Sequence, residues 1–163
     1  TGTGRTGSFF AWEQLGVRPD ALTLAKGLAN GLPIGALLVA NEAARGFEPG
    51  DHASTFGGNP VAAAAACAVV DLIDEALLAH VREVGARLAA GLAEISAVTE
   101  VRGRGLLLAA ELDRPGGDAV AACMERGLLV GTAGPTALRI TPPLTLTADE
   151  ADEAVGLLAE ALA

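Results

Sequence analysis

The sequence predicts an α/β fold built in two parts, and three features of it do so. Two short apolar runs, residues 21–25 and 35–40, flank a glycine-rich loop, as strands bounded by turn residues do. A long alanine-rich stretch follows, and then "AHVREVGARLAAGLAEI", with apolar residues at helical spacing. Beyond Ser96, short apolar runs alternate with short helical ones, the pattern of a small α+β unit. The boundary is expected near residues 76–80, giving a first part over 1–78, the end of a larger domain of mostly parallel sheet and helices, and a second, small α+β part over 79–163.

Each element has a local reason. "FFAWEQLGV" (9–17) predicts a short amphipathic helix, ended by Gly16 and Pro19. Residues 21–25 and 35–40 read as buried strands, with Gly27, Asn30, Gly31 and Pro33 marking the loop between them. A second loop, "HASTFGGNP", runs into a helix: Asn59 suits the N-cap and Pro60 the first helical position, and the helix is expected to run to about Ala79. The next helix should end near Ser96. "EVRGRGLLLAAEL" reads as a hairpin or a bent strand, 117–126 as a helix, and "LLVGTA" and "ALRITPP" as two short strands. The last helix, "TADEADEAVGLLAEAL", has its acids in the first turn, where the helix dipole favours them.

Composition narrows the function. The chain is 51% apolar and 19% charged, enough to bury a large core, and its net charge is −9 with the acids spread along it. That spread argues against nucleic acid and anionic membrane as partners, since both require clustered basic side chains. No stretch has the pattern of a signal peptide or a spanning helix. Cys67 and Cys123 lie far apart in helical surroundings without C-x-x-C spacing; they are expected to be reduced core thiols, as in a cytosolic protein. His52 and His80 show no metal spacing and are expected in a loop and on a helix surface. The chain opens on Thr1 inside a turn-like segment, so it is expected to be a piece of a longer protein.

Four stretches could carry chemistry. In "TGTGRTGSFF", Gly2, Gly4 and Gly7 spell the dinucleotide fingerprint G-x-G-x-x-G. That reading requires a preceding strand and a helix opening within the glycines; Arg5 inside the motif and the soon-broken helix behind it argue against it. The second is Lys26, the only lysine beside ten arginines. It falls at a strand end beside a glycine-rich loop, where ligands of open α/β sheets bind. A lysine amine in a partly desolvated pocket loses its proton more readily and attacks carbonyls to form a Schiff base; a lysine that reaches solvent is the alternative. The third, "STFGGNP", offers two hydroxyls and a helix N-terminus, which suits either a phosphate seat or an ordinary cap. A reactive lysine and a phosphate seat together suggest pyridoxal phosphate. The fourth is Arg139 in "LRITPPL", on a strand edge or awaiting a carboxylate that its planar fork can bind through two hydrogen bonds.

"TGTGRTGSFFAWEQLGVRPDALTLAKGLANGLPIGA", "STFGGNP", "VRGRGLL" and "LRITPPL" together resemble the class III, fold-type I pyridoxal-phosphate aminotransferases, and within that class the acetylornithine branch. The resemblance covers nearly the whole chain as the C-terminal part of such an enzyme. It implies a homodimeric cytoplasmic transaminase of arginine biosynthesis. Such an enzyme moves the ω-amino group of N2-acetylornithine to 2-oxoglutarate, giving N-acetylglutamate 5-semialdehyde and glutamate. Ornithine, succinylornithine, 4-aminobutyrate and succinyl-diaminopimelate stay open as donors, and a non-catalytic relative is the rival outside the class. By the same resemblance, Lys26 is the lysine that bonds the cofactor aldehyde and carries the proton. Thr55 binds the cofactor phosphate at the partner subunit's site, Ser54 lies near the substrate, and Arg139 binds a substrate carboxylate. The family's acid that pairs with the cofactor ring falls just ahead of "GTGRTG", so these 163 residues alone are expected to be inactive.

Overall fold

A two-stranded ribbon and a four-stranded sheet organise the chain, in a computed structural model that describes all residues, Thr1–Ala163. The ribbon pairs β1 (Ala21–Leu24) with β2 (Ala36–Val39), antiparallel, with Leu24 opposite Ala36. A single 3-10 turn, Lys26–Ala29, sits in the connection between them, which is too short for the crossover that parallel neighbours need. These residues therefore contribute an antiparallel pair, and the mix of helix and sheet agrees with the α/β expectation. The two strands are also less buried than their apolar sequence predicts: Leu37 is 54% and Leu38 44% exposed. A two-stranded ribbon cannot bury its own faces.

After a one-turn helix, α1 (Asn41–Ala44), and an irregular loop comes α2 (Pro60–Leu72). The Asn59 side chain accepts from the N–H groups of Val61 at 3.0 Å and Ala62 at 3.2 Å, and Pro60 takes the first position, as predicted. The predicted run to Ala79 is interrupted. Ile73 leaves helical geometry, and Asp74 accepts from Leu77 N–H at 2.8 Å to start α3 (Glu75–Ala93). The helix thus ends at Leu72, seven residues before the predicted Ala79, and the cap starts a second one.

The second sheet has the order β3-β4-β6-β5, all antiparallel. Strands β3 (Val98–Arg104) and β4 (Leu107–Leu112) form the predicted hairpin, and β5 (Gly131–Thr132) and β6 (Ala137–Ile140) are the two short strands. Helices α4 (Gly116–Glu125) and α5 (Ala148–Leu162) complete this part. Thr147 and Glu150 form a reciprocal capping box at the start of α5. Val81, Val84, Leu88 and Leu92 of α3 line one face of that helix. With Leu106, Leu108, Leu138 and Leu158 they join one buried core that runs from Val81 to Leu162.

Three smaller expectations are corrected. Residues 9–17 hold only a single 3-10 turn, Ala11–Gln14, closed at Gly16 with φ +66°; four residues are too few for a stable amphipathic helix. Cys67 is exposed and only Cys123 is a core thiol. His80 is half-buried, its Nε2 2.9 Å from the Leu146 carbonyl, so it joins α3 to the loop before α5.

Candidate active site

Lys26 opens the 3-10 turn directly beyond β1, with φ +54°, a left-handed conformation that non-glycine residues adopt at a cost of about 1–3 kcal/mol. Asn30 closes the turn with φ +45°. The turn is held from beneath: Leu28 and Ala29 are buried, and α2 packs against it through the region of buried Ala62. The Lys26 side chain itself is exposed. The sequence suggested a partly desolvated amine, and no residue of this chain covers it. The strand end and the strained turn fix the backbone that carries the amine, and the rest of the chain leaves the amine open.

Ser54 and Thr55 stand on the exposed loop before α2. The loop closes on itself through Gly57 N–H to Ser54 O at 3.3 Å and Asn59 N–H to Phe56 O at 3.2 Å. The sequence suggested that the α2 N-terminus offers free donors for a phosphate. Its first-turn N–H groups are instead taken by Asn59: Val61 and Ala62 by the side chain, and Ala63 by the backbone carbonyl at 2.9 Å. The donors left over belong to the loop, namely the N–H groups of Thr55, Phe56 and Gly58 and the two hydroxyls. A phosphate here would sit on the loop, with the helix dipole behind it.

Arg139 lies in β6, between β4 and β5, opposite Ala109 and Gly131. Its neighbours Leu138 and Ile140 point into the core while its own side chain is exposed, as strand alternation requires. The guanidinium makes no hydrogen bond or ion pair, unlike those of Arg87 and Arg102, which are tied to Asp152 and Glu111. It borders a cavity of about 360 Å³ walled by Leu88, Leu146, Val155 and Leu158. Neither Lys26, Ser54 nor Thr55 reaches that cavity. The chain thus brings Lys26 and α2 together, and it presents Arg139 on a separate sheet.

The opening glycine motif has a role that its spacing alone does not disclose. Residues 3–10 form turns and bends, without a helix starting among the glycines. Thr3, Gly4, Thr6 and Gly7 are buried against the second part of the chain. A Cβ at Gly4 would stand 3.2 Å from Ile73 Cγ2 and 3.3 Å from Leu144 Cδ1, and one at Gly7 2.4 Å from Arg82 Cγ. Arg82 Nη1 donates to Gly7 O at 2.6 Å. The glycines permit a close seam, and the dinucleotide reading fails on this geometry. The sequence reasoning missed the seam; a second glycine pair, "GRGL" at 103–106, was its one visible trace.

The chain thus presents a lysine at a strand end, a hydroxyl and amide loop ahead of a helix, and an unpartnered arginine on a separate sheet. A family model for class-III aminotransferases matches residues 1–162, and the chain belongs to that family, whose members depend on pyridoxal phosphate. Over 163 residues it is 51% identical to acetylornithine aminotransferase 1 of Bordetella bronchiseptica, covering 97% of this chain and 42% of that protein. The acetylornithine aminotransferase of Elizabethkingia anophelis superposes with a TM-score of 0.91 at 32% identity, over 99% of this chain and 43% of its own. The ornithine aminotransferase of Toxoplasma gondii superposes with a TM-score of 0.90 at 33% identity, over 99% and 41%. The chain therefore spans about two-fifths of the length of the relatives it matches.

The residues present fit two handles of pyridoxal phosphate. An exposed amine on a rigid turn suits its aldehyde, and a loop with free amides and hydroxyls suits its phosphate. No acid of this chain forms an ion pair with Lys26. No three metal-type ligands cluster, and no helix is long and apolar enough to cross a membrane.

Proposed function

We propose that this chain is the C-terminal part of a pyridoxal-phosphate-dependent transaminase that takes the ω-amino group of N2-acetylornithine and delivers it to 2-oxoglutarate. The observation that carries the reading is Lys26, the chain's single lysine. It is held left-handed at a strand end, in a chain half-identical to an acetylornithine aminotransferase. Bound cofactor would supply an aldehyde and a ring that delocalises the electron pair left when a substrate C–H bond loses its proton. Lys26 Nζ would hold the aldehyde and would be the group that takes up and returns the proton at the substrate carbon. Thr55 Oγ1 and its loop amides bind the phosphate, at the site of a second copy in a homodimer, with Ser54 beside the substrate. Arg139 holds a carboxylate through its fork. The division at 78/79 falls inside α3: Leu78 in its first turn faces Gly4, and the residues from Val81 onward face the sheet. A soluble cytoplasmic setting accords with the acidic surface.

Ornithine is the second reading for the donor, favoured by the match to the Toxoplasma gondii ornithine enzyme. The kcat/KM ratio of the full-length protein for N2-acetylornithine over ornithine separates the two. Borohydride reduction followed by peptide mapping should place a pyridoxyl group on Lys26; a label at any other residue, or none, overturns the reading. Arg139→Lys should raise KM for 2-oxoglutarate by about tenfold or more, because a point charge cannot reproduce the two-bond fork.

A further inference from the structure

We propose that Arg5 is a positioning residue: it sets where the carboxylate-binding Arg139 stands relative to Lys26. The inference rests on the roles given above to those two residues. Arg5 is half-buried, in the seam between the opening segment and the second sheet. Its Nη1 donates to the carbonyl of Pro142 and, at 3.4 Å, to that of Leu106. Its own carbonyl accepts from Leu106 N–H at 3.0 Å. One residue therefore grips both the β3–β4 turn and the chain leaving β6.

The location gives the grip its consequence. Pro142 lies three positions after Arg139, and β6 is hydrogen-bonded on both sides. A displacement at Pro142 is therefore carried to Arg139 by the sheet as a unit. At the other end of the same segment, a Cβ on Gly2 would be 3.6 Å from Leu24 Cδ2, and Leu24 lies two positions before Lys26. Residues 2–5 thus run from beside β1, which leads into the Lys26 turn, to the segment that leaves β6, the strand of Arg139. The seam between has no slack: a Cβ at Gly105 would stand 2.7 Å from Thr6 C and 2.8 Å from Arg5 O.

The choice of arginine supports positioning over simple adhesion. No acid pairs with Arg5, and burial alone pulls its guanidinium below the ordinary range, although an arginine stays charged. A cohesive contact would be made as well by a buried apolar side chain, which carries no desolvation cost. A guanidinium directed at two carbonyls fixes direction as well as distance.

The test uses the full-length holoenzyme and glutarate, an unreactive dicarboxylate, with Kd measured by calorimetry and KM and kcat for 2-oxoglutarate alongside. Arg5→Met should raise glutarate Kd and 2-oxoglutarate KM about tenfold and change kcat less than about twofold, as a shift of a fraction of an ångström does. Arg5→Lys, which can keep one carbonyl bond, should fall between, and it carries the test alone if Arg5→Met does not fold. In an Arg139→Lys background the Arg5 effect should vanish, since Arg5 acts through Arg139. If Arg139→Lys weakens glutarate while the Arg5 variants do not, or if the two effects simply multiply, the positioning role is overturned. If Arg139→Lys leaves glutarate binding unchanged, the assignment of Arg139 itself is refuted.

Discussion

Gly85 sits in the middle of α3, where glycine should be a poor choice. Replacing an exposed mid-helix glycine with alanine ordinarily stabilises by about 1 kcal/mol. At Gly85 the added Cβ would stand 2.3 Å from Gly105 O, 2.5 Å from its carbonyl carbon and 2.8 Å from its Cα. Ordinary contact begins near 3.4 Å, so the β3–β4 turn must retreat by roughly 1 Å, and it has nowhere to go. Leu106 is fully buried, its N–H is bonded to Arg5 O, and Gly105 already abuts Thr6. Overpacking costs about 1–3 kcal/mol and one strained hydrogen bond about 1 kcal/mol. Against the helix gain, Gly85→Ala should destabilise by about 2 kcal/mol.

Two other glycines serve as internal controls. Gly156 in α5 has nothing within 4 Å of an added Cβ, so Gly156→Ala should stabilise by about 0.5–1 kcal/mol. Gly91 would meet only the Val155 side chain, at 2.9 Å; moving that stiff β-branched group offsets the helix gain, so Gly91→Ala should lie close to neutral. Urea unfolding of the full-length variants, followed by circular dichroism, should rank them 156, 91, 85 from most to least stable. A Gly85→Ala protein as stable as the parent would refute the seam as described.

Asn59→Ala removes the acceptor for two α2 N–H groups and should cost about 1 kcal/mol, read from the same urea curves. On the acid side, Thr136 and then Arg102 hold the Glu111 carboxyl below its usual range, and Arg87 does so for Asp152. A carboxyl depressed in the folded state adds stability that is present above its unfolded pKa of about 4 and is lost as pH falls through the folded value. Stability should therefore decline below about pH 4. Thr136→Val, which removes the first restraint on Glu111, should make that decline shallower; a steeper one in urea midpoints against pH would contradict the assignment.

The parts of the fold that were legible in the sequence are those fixed locally. Asn59-Pro60 announced a helix start, the acids of "TADEADEA" another, and "EVRGRGLLLAAEL" a hairpin or bent strand. What escaped depends on partners distant along the chain. Asp74 could be recognised as a cap only by its bond to Leu77, because the apolar pattern runs on through the break. The glycine fingerprint was rightly set aside as a dinucleotide site, but its real use escaped, because glycine serves both close ligand approach and close chain approach. Here Gly105 and Gly85, remote in sequence, decide for the second. For the candidate site, residue types and their strand-end or loop positions were readable from Lys26, Thr55 and Arg139. The occupancy of the α2 donors and the open surroundings of Lys26 were not, because both are properties of neighbours.

The last prediction follows from how apolar surface is distributed. All sixteen residues of the main core fall between Val81 and Leu162. The region before α3 instead exposes Leu37, Leu38, Val61, Leu72 and Phe56, the last at 81%, and Lys26 is exposed in the same region. An apolar face of that extent is covered in a working protein, and the relatives are more than twice this chain's length. The isolated 163-residue chain should therefore bind a hydrophobic dye through its first part, while amides of β4, β6 and α3 resist exchange because their side chains meet in the core. It should also show no transamination of N2-acetylornithine, since Lys26 is exposed in it and it spans about two-fifths of its relatives' length. Turnover by the purified chain would show that Lys26 needs nothing beyond these residues, and the account of the site as shared with further polypeptide would fall.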